Sequence, residues 1–213
     1  MRGSVRHVEW IGDDDPERLE AATVTLAADR LDALGVSRTT DYVTNWSLET
    51  GEGWVTSRLD VAVSGRGWRR RLVLARDAHG RWTSDTGTSG HAVHQGVPLG
   101  EPGIADPLSL AGALDCDLAL CPVTNTMPIL RLGLLAAPTE ERHLVMAWVA
   151  LPSLEVVRSD QVYSSAAPYD PAAGHGVVRY QSATRDFTAD LTVDADGLVI
   201  DYPQLARRIR ARP

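Results

Sequence analysis

Apolar and polar residues alternate along most of this chain, in short segments that end at turns. Alternation with a period of two is typical of β-strands with one buried face. The clearest segment is residues 54–63, and its alternating face carries Val55, Ser57, Leu59, Val61 and Val63. Gly65-Arg66-Gly67 then turns the chain, and the strand predicted to follow places Trp68, Arg70, Leu72 and Leu74 on one face.

Similar patterns predict strands through the rest of the sequence. Two surround Asp29-Arg30, at residues 19–28 and 34–40, although their many alanines would also suit a helix. Asp196-Gly197 predicts a tight hairpin, because this pair tolerates the positive φ angles of the turn. Further strands are predicted at residues 115–121, 129–135, 143–151, 154–164, 176–183 and 186–193.

The segments between these strands include one long loop and two short helices. Residues 84–106 are rich in Gly, Ser, Thr and Pro and predict a loop. Asp106-Pro107 suits a helix start, so a helix is predicted over residues 107–113, and the spacing of Leu205 and Ile209 predicts another over 203–212. Since no strand–helix–strand spacing favours a parallel sheet, we expect an all-β, mainly antiparallel single domain covering residues 1–213.

Composition excludes several classes of function. A net charge of −7 argues against a nucleic-acid partner, and all 21 basic residues are arginine, which excludes lysine Schiff-base chemistry and a phosphate-loop lysine. No apolar run reaches the length of a membrane span. Residues 1–10 contain charged side chains and no apolar core, so we expect no secretory signal and a cytoplasmic location. Nothing in the sequence indicates an oligomeric state.

Metal, cofactor and standard catalytic sites are not indicated. Cys116 and Cys121 are five residues apart and would point to opposite faces of a strand, so we expect two packed thiols without a disulfide. His91 and His94 lie in the loop without a nearby third ligand, which favours solvated histidines. The serine-hydrolase, dinucleotide-binding and zinc-protease motifs are absent, so the sequence predicts no cofactor, no metal and no catalytic residue.

Residues 115–132 hold the densest group of polar side chains. Asp115 and Asp117 share a face of one predicted strand, and Arg131 on a returning strand could lie opposite Asp117. Buried charges need partners, so the group could anchor a ligand head group or form an internal ion pair that fixes the strand register. The residue types alone favour the ion pair. Thr124-Asn125-Thr126, between Pro122 and Pro128, could form a rigid turn or face a ligand.

The same segment carries a family resemblance. Its acidic strand, the Pro-x-Thr-Asn-Thr-x-Pro-Ile element and the following arginine resemble the "putative glycolipid-binding" family of bacterial proteins. Two more stretches fit that family, Gly67 to Trp82 and Asp190 to Arg208 with Asp201-Tyr202-Pro203. The resemblance covers nearly the whole chain and implies a spiral β-roll, a long antiparallel sheet curled around an apolar space like an open half-barrel.

The resemblance also implies an amphipathic partner, a glycolipid or another acyl-bearing metabolite, held on the concave apolar face. The expected ligand contacts are Asp117, Thr124, Asn125, Thr126, Arg131, Trp68, Arg70 and Tyr202. Two alternatives stay open. The chain could be an enzyme that uses Asp115, Asp117 and Arg131 for acid–base chemistry in the same cavity, or a structural or interaction protein whose interior is filled.

Overall fold

The strands of the first half form an antiparallel meander. The computed structural model describes residues 3–184 and 186–209. In the meander each strand pairs with the next along the chain. Its strands are β1 (Ser4–Gly12), β2 (Leu19–Leu26), β3 (Leu31–Arg38), β4 (Tyr42–Thr50), β5 (Thr56–Gly65), β6 (Trp68–Arg76) and β7 (Trp82–Gly90). The strands predicted on either side of Asp29-Arg30 are confirmed as β2 and β3.

The second half adds strands to the other side of β1, so that one large sheet results. A two-stranded ribbon follows β7 and is separate from it, β8 (Val93–His94) with β9 (Val97–Pro98). The remaining strands are β10 (Gly103–Ile104), β11 (Asp115–Leu118), β12 (Thr139–Val149), β13 (Glu155–Asp170), β14 (His175–Ser182), β15 (Phe187–Val193), β16 (Val199–Tyr202) and β17 (Ala206–Arg208). The strand order is β11-β12-β13-β14-β15-β16-β17-β1-β2-β3-β4-β5-β6-β7, with β10 beside β13.

Most strand pairs are antiparallel, which confirms the predicted fold class. The exceptions are β10 with β13 and β11 with β12, which are parallel. The sheet curls without closing into a barrel. Strand β10 connects the β7 end of the sheet with β13, because it pairs with β13 and the backbone N–H of Ile104 donates to Ser84 Oγ of β7 over 3.1 Å.

Residues 107–134 cover the face of the sheet that lies inside this curl, called the inner face here. The segment contains a 3₁₀ helix at Pro107–Leu110, strand β11, a second 3₁₀ helix at Pro122–Asn125 and helix α1 (Thr126–Arg131). Leu110, Val123 and Met127 are fully buried in one cluster with Leu59 and Leu72 of the meander. The interior of the roll is therefore occupied by the chain's own side chains.

Three sequence predictions of local structure are wrong. Residues 84–90 are not loop but part of β7, an edge strand whose side chains after Trp82 are all exposed. A strand with no buried face carries no apolar alternation, which explains its loop-like composition. Residues 203–212 were predicted as a helix, but 206–208 are β17, because pairing with β1 satisfies backbone groups that a short isolated helix would leave to solvent. Residues 210–213 lie outside the described part of the chain.

The third correction concerns the predicted hairpin of residues 115–135. Its second strand, at 129–135, is absent, and the chain instead turns through the 3₁₀ helix Pro122–Asn125 into α1. Both prolines sit in the first turn of a helix, where no intrahelical partner is needed for the backbone nitrogen. The residues that indicated a rigid turn therefore begin helices.

Gly35 of β3 tests how tightly the meander packs on its inner face. A Cβ there would lie 2.4 Å from Cζ2 of the buried Trp46 ring and 2.8 Å from the Ala21 carbonyl oxygen. We expect Gly35→Ala to lower the free energy of unfolding by about 1–3 kcal/mol, as overpacking does. Gly51→Ala is the matched control, because its Cβ would meet only Val55 O at 4.0 Å. Equal denaturant midpoints for the two variants would contradict the packing at Gly35.

Candidate functional site

Asp115 and Arg131 form the central ion pair of the 115–132 segment. Asp115 is fully buried on β11, and Arg131 at the end of α1 donates from Nη1 to Oδ1 over 2.6 Å and from Nη2 to Oδ2. Burial raises the pKa of the Asp115 carboxyl, and Arg131 opposes that rise. The prediction that Arg131 lies opposite Asp117 is wrong, because residues 126–131 are a helix and bring the guanidinium to Asp115 instead.

Asp117 and the Thr124-Asn125-Thr126 turn are held by contacts within the protein. Asp117 accepts hydrogen bonds from Thr124 Oγ1 at 3.2 Å and Gln161 Nε2 at 2.7 Å. Asn125 Oδ1 accepts from the Tyr163 hydroxyl at 2.9 Å. Thr126 Oγ1 donates to the Gly197 carbonyl oxygen at 3.1 Å. These bonds fix the helical segment against the surrounding strands.

A small cavity of about 20 Å³ adjoins this group, bounded in part by Asp117, Asn125 and Tyr202. A space of this size holds about one water molecule. The cavity therefore brings together three of the predicted ligand contacts, Asp117, Asn125 and Tyr202. That these side chains contact a larger ligand stays a prediction. If Asp117 took part in acid–base chemistry in this cavity, the space beside it would admit a water molecule but not a lipid.

Trp68 and Arg70 lie elsewhere, on β6. Arg70 donates from Nη1 to Ser153 O at 2.8 Å and to Gly100 O, and from Nη2 to Leu99 O at 3.1 Å. It thus ties the loop before β10 to the sheet. The Trp68 ring packs over Gly65, whose missing side chain leaves room for it. Both residues are buried.

A continuous groove crosses strands β1 to β4 on the face turned away from residues 107–134, called the outer face here. It joins two open depressions of about 960 and 520 Å³, which share Glu9, Ala21, Val36 and Ile209. Its apolar side chains include Leu34, Val36 and Val43, which are 61%, 55% and 50% exposed. A contiguous patch of large exposed apolar side chains indicates an interaction site more often than single exposed apolar residues do. We call this surface the β1–β4 groove.

The sequence carries a signal for this groove that the strand predictions overlooked. In β3 the inner face presents Leu31, Ala33, Gly35 and Ser37, whereas the outer face presents Leu34 and Val36. A half-buried strand normally keeps its large apolar residues on the buried face. Apolar residues at both parities therefore indicate that both faces of β3 have a role.

One end of the groove is polar. There, near β1 and β17, Arg208 donates from Nη1 to Asp194 Oδ2 at 2.7 Å and Arg6 donates from Nε to Asp196 at 2.7 Å. Arg6, Asp194 and Arg208 line the groove. Arg208 Nη2 is buried and has no hydrogen-bond partner in the part of the chain that the structure describes. A buried donor without a partner costs free energy that an oxygen-rich ligand could recover.

Glu20 is a buried acid that the sequence predictions missed, because β2 places it on the inner face and exposes Leu19. Burial raises the pKa of its carboxyl from 4.5 to about 7, while a hydrogen bond with Cys121 and the charge of Arg18 oppose the rise. Cys116 and Cys121 are buried, and neither forms a disulfide, as predicted. Burial raises the pKa of the Cys121 thiol well above its ordinary range.

The structure offers no metal site within residues 3–184 and 186–209, where no three His, Cys, Asp or Glu side chains gather. His91 is exposed, and His94 lies edge-on to Tyr42 with its Nδ1 3.6 Å from Asp41 Oδ2. Of the helices described, none has the length and apolar character needed to cross a membrane.

Comparison with known proteins matches nearly the full length of the chain. A family model described as "Putative glycolipid-binding" matches residues 7–208. The fold is similar to the crystal structure of a DUF1089 family protein from Pseudomonas aeruginosa, with 27% identity, a TM-score of 0.63, and coverage of 89% of this chain and 92% of that chain. A search among curated proteins finds no match.

The Asp115–Arg131 pair provides a test of the buried cluster. Arg131→Met leaves the Asp115 carboxylate buried without its partner, so we expect a loss of about 3–5 kcal/mol in the free energy of unfolding. Arg179→Met is the control, because Arg179 and Asp190 form an exposed pair whose loss costs about 0–1 kcal/mol. Urea unfolding measures both. Similar losses in the two variants would contradict a structural role for the buried pair.

The raised pKa of Glu20 predicts a specific pH dependence. Between pH 4.5 and 7 the folded chain keeps a proton on Glu20 that the unfolded chain releases, so stability falls as the pH rises through this window. Glu20→Gln removes the effect. We expect the variant to gain about 3 kcal/mol relative to the parent chain between pH 4 and pH 8, measured by denaturant unfolding at each pH. A difference between the two proteins that does not change with pH would show that Glu20 is not shifted.

Proposed function

Because the match over residues 7–208 shows that the chain belongs to the "Putative glycolipid-binding" family, as the 115–132 segment predicts, we propose that it binds an amphipathic lipid with a sugar head group. The acyl tail lies along the β1–β4 groove, and the head group extends from its polar end, where Arg6, Asp194 and Arg208 lie. The continuous exposed apolar surface of the groove is the observation that carries this proposal.

The size and lining of the groove support a lipid tail. Small-molecule sites have volumes of roughly 300–1,000 Å³ and mainly apolar walls with a few placed polar groups. Each of the two joined depressions falls in this range, at about 520 and 960 Å³. Covering Leu34, Val36 and Val43 removes apolar surface from water at a gain of roughly 25 cal/mol per Å². An extended tail across β1 to β4 would do so.

The filled interior directs the ligand to the outer face. Residues 107–134 pack against the inner face, and the small cavity there has a volume of about 20 Å³. A sheet whose concave side is occupied by its own chain leaves the opposite side of β1 to β4 for a partner. The proposal therefore keeps the ligand class that the family description suggests and moves its tail away from the inner cavity expected from sequence.

The arrangement supports binding more than acid–base catalysis. Asp115 is fully buried and tied to Arg131, and Asp117 accepts hydrogen bonds from Thr124 and Gln161. A general base must reach the proton that it removes. Of the two carboxylates Asp117 lines a cavity with space for about one water, whereas the groove is open over several strands.

Two exposed valines allow a matched test. Val36 lies at the centre of the groove and is 55% exposed, while Val157 of β13 is 43% exposed and lies outside it. We expect Val36→Asp to weaken binding of a fluorescent long-chain diacylglycerol by at least about tenfold, because a charge replaces apolar contact with the tail. Val157→Asp should bind as the parent chain does.

Fluorescence titration against the free lipid below its aggregation concentration gives the two affinities. Unchanged binding by Val36→Asp, or an equal loss in Val157→Asp, would contradict a tail site in the β1–β4 groove. Thermal unfolding of both variants checks that the sheet is intact.

A further inference from the structure

A third depression, of about 360 Å³, lies near the start of β1. Its lining includes Gly3, Ser4, Leu26, Trp54, Leu130 and Asp196. We call it the Trp54 pocket. It is separate from the groove but adjoins it, because Asp196 lines the pocket and Arg6 lines the groove, and these two side chains are joined over 2.7 Å. The two spaces meet at this ion pair.

Trp54 has an unusual backbone. Its φ is +56°, in the left-handed region, and it follows Gly53 at φ +68° in the turn between β4 and β5. A bulky residue rarely adopts this conformation, and such strain gathers at ligand sites. The backbone N–H of Trp54 donates to Asp29 O at 2.9 Å, which holds the strained turn in place. This backbone conformation favours glycine over tryptophan.

The Trp54 side chain is incompletely satisfied. The ring is partly buried against the main core, and it also lines the pocket. Its indole Nε1 is buried and lacks a hydrogen-bond partner among the described residues. A buried donor left without a hydrogen bond destabilises the folded chain. A ligand hydroxyl that reached the nitrogen after a small movement of the ring would recover that cost.

We propose that the Trp54 pocket binds the sugar ring of the ligand, with Trp54 as its apolar platform and Asp196 as the acceptor for its hydroxyl groups. The inference rests on the proposed function and refines it, since it places the sugar beyond the Arg6–Asp196 pair, with the tail in the groove. The faces of a pyranose ring carry C–H groups that pack on an aromatic ring, and its rim carries hydroxyls that donate to a carboxylate.

The charges at the pocket favour an uncharged head group. Asp196 is the charged side chain of the lining, and its partner Arg6 already compensates it. A phosphate or sulfate would meet this carboxylate, and the described residues that line the pocket include no free cation to pair with it. The small side chains of Ala27, Ala28 and Ala195 complete the lining and leave room beside the indole ring. A neutral hexose on a diacylglycerol is the ligand class that fits.

The experiment compares two probes that share one tail, a monohexosyl diacylglycerol and the diacylglycerol without its sugar. In the parent chain the sugar should strengthen binding at least about tenfold. Trp54→Leu and Asp196→Asn should each lower the affinity for the hexosyl lipid to nearly that of diacylglycerol, while binding of diacylglycerol itself stays unchanged. Asp190→Asn is the control for Asp196→Asn, because Asp190 also forms an exposed pair with an arginine.

The outcomes separate this inference from the proposed function. If diacylglycerol binds and Val36→Asp weakens it, but the sugar adds nothing or Asp196→Asn keeps the full sugar preference, the Trp54 pocket is overturned and the groove stands. If diacylglycerol does not bind but a free alkyl hexoside still changes the tryptophan fluorescence of the parent chain and not of Asp196→Asn, the groove fails and the sugar site stands. A stronger response to a phosphorylated lipid than to the hexosyl lipid would overturn the neutral head group. Thermal unfolding confirms that each variant is folded.

Discussion

Covering the inner face of the curled sheet is the packing requirement on which the rest of the molecule depends. Strands β1 to β6 turn Leu59, Leu72 and their neighbours toward the inside of the curl, and these side chains are buried in one cluster with Leu110, Val123 and Met127 of residues 107–134. The Asp115–Arg131 pair and the bonds of Asp117 hold that segment in place. A buried ion pair of this kind adds little net stability by itself, but losing either partner leaves a costly charge in the core.

Filling the curl decides where a ligand can lie. An empty roll would offer its concave side, whereas this one offers the outer face of β1 to β4 and the open end near Trp54. The groove exposes apolar side chains whose burial contributes no stability in the isolated chain. Arg208 Nη2 lies at the polar end of the groove and Trp54 Nε1 in the pocket that adjoins it, and both are buried donors without a partner among the described residues. Apolar exposure and unsatisfied donors along one path are features that an amphipathic ligand would complete together.

Alternation along the chain predicted β2, β3, β5 and β6 because each of these strands has one buried face. It failed at residues 84–90, where an edge strand has both faces in solvent and no pattern to detect. It failed again at Pro122 and Pro128, since a proline at a helix start and a proline in a turn look alike in sequence. The sequence indicated that Arg131 would pair with a nearby aspartate, but whether that partner is Asp115 or Asp117 depended on residues 126–131 forming a helix. The groove could be predicted from β3, where Leu34 and Val36 lie on the face opposite to Ala33 and Gly35. The burial of Glu20 and the left-handed backbone of Trp54 depend on tertiary structure and could not be predicted from the sequence.

The location of the acyl tail is the central claim, and paramagnetic NMR tests it most directly. A diacylglycerol carrying a nitroxide on its acyl chain broadens methyl signals that lie near it. Leu34, Val36 and Val43 on the outer face should broaden most, while Leu59, Val61 and Leu72 on the inner face of the same sheet lie farther from the nitroxide and should broaden less. Stronger broadening of these inner methyl groups, or of Val123 in the segment that fills the curl, than of the outer ones would contradict a ligand on the outer face.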